Sequence, residues 1–168
     1  MKVMRGGSLV LSMCVLASAS ACTIQERTDI NGEEEVTTRR QIIQPEDAPR
    51  LPIFSSAVRS GDLIFLSGAL GALPGVTPPQ LIEGGIGPET RQTMENIIDI
   101  LDVAGATVED LIKCTVFLAD IDDYAAMNEV YQEYMPDPPP ARSAVAGSGL
   151  ALGALVEVEC IAAVPEGS

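Results

Sequence analysis

The chain has no histidine and no tryptophan, only three tyrosines and three phenylalanines, and 10 lysines and arginines against 24 acids. Without histidine, Ser-His-Asp and Cys-His constellations are excluded, and so are histidine-ligated metal sites. No CxxC, GxxxxGKS, GxxxxGKT or GxGxxG run is present, so the thiol-redox, P-loop and dinucleotide fingerprints are missing too. The one stretch that resembles a phosphate loop, GSGLALG at 147–153, does so in composition only. No helical pattern follows it, and it reads as a turn.

Positive charge is the scarcest resource. Lys2 and Arg5 sit in the leading segment, and without them the net charge is −16. Such a surface repels phosphate backbones, which argues against a nucleic-acid partner. The leading segment MKVMRGGSLVLSMCVLASASAC has a positive start, an apolar run from Ser8 to Ala17 and a small-residue site at Ala19-Ser20-Ala21. It predicts a secretory signal over residues 1–21, too short to span a bilayer. Cys22 stands where a bacterial lipoprotein carries its lipid. The expectation is therefore an exported protein, a periplasmic or cell-envelope lipoprotein held to the membrane by lipid alone, or secreted if Cys22 is not acylated. Residues 22–50 are polar, with an acidic triplet Glu33-Glu34-Glu35, and read as a flexible tether. Residues 51–168 form the domain.

In the domain, IFSSAV and LIFLSGAL flank Gly61-Asp62 and read as a hairpin. Pro88 suits the first turn of a helix whose Met94, Ile97, Ile98, Leu101 and Ala104 share one face, ending at Gly105. DLIKCTVFLAD is a strand. Asp122 or Asp123 opens a second helix, with Tyr124, Met127, Val130, Tyr131 and Tyr134 on one face until Pro136 stops it. Two strands close the chain, Ser143 to Ala146 and Ala154 to Val164. The order β-β-α-β-α-β-β predicts a two-layer α+β domain with both helices on one face of a sheet. The other face then needs neighbouring subunits to cover it. Cys114 and Cys160 lie in strand-like runs and read as two buried thiols, a disulfide between them being the alternative.

Two features invite chemistry. The proline-rich connector PDPPP leads into Arg142, a cation among small residues. A guanidinium matches a carboxylate as a planar fork, and the plain alternative is a salt bridge to one of the domain's many acids. The final strand LVEVECIAAV alternates, with Glu157 and Glu159 on one face and Val156, Val158 and Cys160 on the other. A carboxylate there could act as general base, or simply stand in water.

These residues carry a resemblance. PIFSSAV, GDLIFLSGALG, the long run from GGIGPETRQ to VYQEYM, PPARSAV and GALVEVECIAAV occur in the order seen in the RidA/YjgF family. Its members are reactive-intermediate (enamine/imine) deaminases, also called the endoribonuclease L-PSP family. The resemblance implies a chorismate-mutase-like fold with a mixed sheet, a homotrimer whose sheets form an inner barrel, and clefts between subunits. It also implies that Arg142 grips a substrate carboxylate and that Glu157 positions the attacking water. Phe54, Ser67, Gly68 and Asn128 would line the cleft, and no cofactor or metal would be needed. The implied reaction is hydrolysis of 2-imino or enamino acids to 2-keto acids and ammonia. Phe54 lacks the hydroxyl of the tyrosine often found there, Ala69 stands where glutamine is common, and Ala144 replaces a frequent cysteine. These losses keep a second reading open, a trimer that binds small carboxylates, or serves as a scaffold, without turnover. A ribonuclease fits poorly with the charge.

Overall fold

A computed structural model describes residues 40–48 and 50–164. Its elements are β1 (Gln41–Ile43), β2 (Ala57–Ser60), β3 (Leu63–Leu66), β4 (Ala69–Leu70), α1 (Ile86–Val103), β5 (Leu111–Leu118), α2 (Tyr124–Tyr131), β6 (Ala141–Ala146) and β7 (Val156–Ala163). The alternation read in the last strand decides the architecture. Val156, Val158, Cys160 and Ala162 are buried on one face of β7, while Glu157, Glu159, Ile161 and Ala163 point to the other. β7 is the hub of a mixed sheet in the order β1-β2-β3-β7-β5-β6, with β4 also pairing β7. Among the described residues only β5 and β6 run parallel, joined by the crossover through α2. Both helices lie on the face that buries Val156, Val158, Cys114, Val116 and Leu118, packing Met94, Ile97, Leu101, Met127 and Tyr131 against them. Each such side chain contributes about 1.5–3 kcal/mol. The predicted α+β class with two helices on one face is what is observed.

In α1, Pro88 falls in the first turn and Gly105, at φ 71°, lies just beyond the C-cap Ala104. The buried stripe includes Ile100 in place of the expected Ile98, and it extends back through Thr93 and Thr90 to Glu89. Both threonine hydroxyls donate to carbonyls one turn earlier, Ile86 and Glu89, so their burial leaves no polar atom unpaired. Glu89, at 4% exposure, accepts the Leu155 and Val156 amides on Oε1 at 2.7 and 3.3 Å. This carboxylate pins the start of β7 to the start of α1.

Three features differ from expectation. Gln41–Ile43, inside the stretch read as tether, pairs with β2 as an edge strand, and Ile43 is buried in the core. A three-residue strand with a single core side chain leaves almost no periodic signal. Cys114 and Cys160 form a disulfide rather than two free thiols. They stand directly opposite each other across β5 and β7 on the core face, a register that sequence spacing does not reveal. A two-residue strand, β4, continues β3 along β7 after a break at Ser67-Gly68. The leading segment and Cys22 lie outside the described residues.

The sheet face away from the helices has no cover among the described residues. Phe65 is 44% exposed there, directly opposite half-buried Ile161, and half-buried Phe117 lies on the same face further along the sheet. Lys113 Nζ donates to Ser143 Oγ at 2.7 Å on this same face.

Candidate functional site: two half-sites on opposite faces of one sheet

Arg142 lies on β6, opposite Cys114 in the parallel register, so its side chain projects to the helix face. There α2 receives it. Arg142 Nη1 donates to Asn128 Oδ1 at 2.6 Å, and Nη2 donates to the Tyr124 hydroxyl at 3.0 Å. The guanidinium carbon is 5.0 Å from the Tyr131 ring centre and 5.7 Å from that of Tyr124, within cation–π range. The spacing explains the arrangement: Tyr124, Asn128 and Tyr131 are i, i+4 and i+7 on α2, one stripe facing β6.

Among the described residues no carboxylate pairs with Arg142, whereas Arg91 pairs with Glu133 at 3.0 Å. The salt-bridge alternative therefore does not describe it. A guanidinium has five N–H donors, and two are spent on Asn128 and Tyr124. The rest, on a half-buried side chain, are free to take an anion. Tyr131 adds a second open valence. Its hydroxyl is buried and has no hydrogen-bond partner among the described residues. Burial pushes its phenol up, with the Arg142 charge partly opposing.

The other predicted residues gather elsewhere. Glu157 on β7 stands opposite Leu70 of β4 and Phe117 of β5, on the uncovered face. Its carboxylate lies over Gly68, so closely that a Cβ there would overlap Glu157 Oε1 and come within 2.8 Å of its Cδ. Partial burial, and then the negative charge of Glu159, hold the Glu157 carboxyl above its ordinary 4.5. Ser67, next to Gly68, donates its hydroxyl to the Ser55 carbonyl at 2.7 Å. Phe54, the neighbour of Ser55, is half exposed. Among the described residues no group of three or more acids and cysteines is placed to hold a metal ion.

Thus Arg142 joins Asn128, and Glu157 joins Gly68 with Ser67 nearby, but the two groups stay apart in one chain. Arg142 shares the face of Cys114 and Glu157 that of Phe117, three residues further along β5. Two strand spacings and three residues of rise separate their Cα atoms by about 14 Å, with the sheet between their side chains. The sequence puts Tyr124 and Tyr131 on one face of the second helix and gives them no part in the site. The signal that could have found them is their shared helical stripe with Asn128.

The family described as Endoribonuclease L-PSP matches over residues 46–164. The mitochondrial protein mmf2 of Schizosaccharomyces pombe is 48% identical over 113 residues, covering 66% of this chain and 86% of that protein. The chloroplastic Reactive Intermediate Deaminase A of Arabidopsis thaliana is 35% identical, over 75% of this chain and 67% of its own length. A 2-iminobutanoate/2-iminopropanoate deaminase of Capra hircus is 40% identical over 73% of this chain and 89% of its own. Among solved structures, RidA from an Antarctic Psychrobacter superposes with a TM-score of 0.68 at 36% identity, over 74% of this chain and 99% of that one.

These relatives correct the expected location. Proteins named mitochondrial and chloroplastic point to an organellar or cytosolic setting, against a periplasmic or secreted lipoprotein. The physical reason is ambiguity of composition. A basic, serine-containing, acid-free leading segment serves organelle import as well as export.

Proposed function

The chain belongs to the endoribonuclease L-PSP family, which is the RidA/YjgF family, and on that premise we propose that it hydrolyses small 2-imino or enamino acids to 2-keto acids and ammonia. The observation that carries this reading is an arginine with spare donors, stacked on tyrosines and paired with no acid among the described residues. Arg142 holds the substrate carboxylate. Glu157 aligns water for attack on C2, and burial, then the Glu159 charge, raise the proton affinity of its carboxyl, as a general base requires. An imine is electrophilic by itself, so anchoring and a positioned base already accelerate its hydrolysis. The base contributes roughly 10²–10⁴-fold. No cofactor is needed in this scheme.

Because Arg142 and Glu157 project from opposite faces, the site is completed between copies, each cleft taking Arg142 from one and Glu157 from its neighbour. The uncovered face carrying Phe65 and Phe117 is the surface that would associate, as a homotrimer. The same separation favours a second reading: a chain that fails to associate would bind carboxylates through Arg142 and turn nothing over.

The test generates imines in place with an amino-acid oxidase and follows competition between hydrolysis and semicarbazide trapping. Wild type should accelerate hydrolysis, and Arg142→Ala and Glu157→Gln should each fall to the uncatalysed rate. Carboxylate binding without acceleration of any imine would leave the binding reading and overturn the enzyme.

A further inference from the structure

The Arg142 cluster contains a donor that carboxylate anchoring leaves unused. Tyr124 is the first residue of α2 and 38% exposed, so its ring is not there to fill the core. Its oxygen accepts Arg142 Nη2 at 3.0 Å, which leaves its own O–H proton uncommitted among the described residues. Asn128 already fixes the guanidinium at 2.6 Å, so the phenol is not required to hold it. A ligand whose carboxylate takes the spare Arg142 donors has C2 one bond beyond the carboxylate carbon. The atom doubly bonded to C2 is two bonds from the carboxylate carbon, and the Tyr124 hydroxyl, already on Nη2, adjoins those spare donors.

We propose that Tyr124 reads the atom on C2 by donating a hydrogen bond to it, and gives its phenolic proton to the imine nitrogen as water adds. This rests on the carboxylate-anchoring role of Arg142 above. Water oxygen bonds to C2, the C=N pair moves to nitrogen, and nitrogen takes the Tyr124 proton. One proton of the water passes to Glu157 of a neighbouring copy. The carbinolamine then collapses: the C–N bond breaks, nitrogen takes the proton from Glu157 and leaves as ammonia, and the hydroxyl proton returns to the phenolate. The phenolate in between is supported by its surroundings. The Asn128 side chain, and then the Arg142 charge, hold the phenol below its ordinary 10.

The experiment compares two ligands by titration calorimetry on the full chain, 2-oxobutanoate, with an acceptor on C2, and butanoate, without one. Wild type should prefer 2-oxobutanoate by about 5-fold, within the range of one hydrogen bond. Tyr124→Phe should erase that preference, leave butanoate affinity unchanged, and lower the semicarbazide-assayed hydrolysis by about 10²-fold. If Tyr124→Phe weakens both ligands equally, the phenol merely steadies Arg142 and the proposal is wrong. If it alters neither binding nor rate, the proposal is equally wrong while the Arg142 site stands. If wild type binds neither ligand, and Arg142→Ala is indistinguishable from it, the carboxylate site itself is refuted and Tyr124's role with it.

Discussion

Adding one methyl group at Gly68 should disable the protein without unfolding it. A Cβ at this position lies 2.8 Å from Glu157 Cδ and 3.0 Å from its Cγ, besides overlapping Oε1. Ordinary carbon contacts are about 3.5–4.0 Å, so the carboxylate must withdraw by roughly 1 Å. What has to move is the end of a flexible side chain on an open face, at a rotamer cost of about 0.5–1.5 kcal/mol. Gly68 is not in the left-handed region, so alanine also removes unfolded-chain freedom worth about 0.4–1 kcal/mol. The two nearly cancel, and the unfolding free energy of Gly68→Ala from urea titration should stay within about 1 kcal/mol of wild type. A displacement of 1 Å in a positioned catalytic group costs about 10²-fold in rate. The semicarbazide-competition assay should show that loss, beside an unfolding curve and a circular dichroism spectrum like those of wild type. Full activity in Gly68→Ala would refute the reasoning, because the Glu157 carboxylate could not then be held where water needs it.

Two other expectations come from single carboxylates. Glu89→Ala strands the Leu155 and Val156 amides, and at about 1–3 kcal/mol for a buried unpaired group it should cost about 3 kcal/mol in urea unfolding. Glu89→Gln, which keeps an acceptor, should cost about 1, and a loss below 1 in the alanine variant would contradict the pinning role. Glu157 gives a pH signature. Its carboxyl binds a proton more tightly folded than unfolded, through burial and then Glu159, so its contribution to stability is present below 4.5 and is lost as pH rises through the raised folded value. Glu157→Gln should remove that decline from the stability–pH profile, and an unchanged profile would show that burial does not disfavour the charge.

What the sequence made legible was local. The 2-residue alternation of β7 placed Glu157 away from the core, and Pro88 and Gly105 bounded α1. The small residues around Arg142 marked it as unlike the other cations. What was hidden depends on pairing across long separations. Glu89 meets Leu155 across 66 residues, and helical periodicity counts an acid in the first turn as exposed. The disulfide follows from the Cys114–Cys160 register, which a sequence separation of 46 does not announce. Tyr124 and Tyr131 drew no site role from the sequence because an amphipathic stripe looks the same whether it faces leucines or a guanidinium. That Arg142 and Glu157 occupy opposite faces needed the offset of β6 and β7 along β5. The resemblance named both residues but did not show that one chain keeps them apart.

The central claim, that one chain's Arg142 works with another's Glu157, has a direct test in mixed assemblies. Arg142→Ala and Glu157→Gln chains, each inactive alone, would be unfolded, mixed in equal amounts and refolded together. Random assembly puts an intact arginine and an intact glutamate from different chains in about a quarter of the clefts, so about a quarter of wild-type imine hydrolysis should return. If the mixture stays at background while its subunits are shown to have exchanged, the two residues act within one chain and the account is wrong.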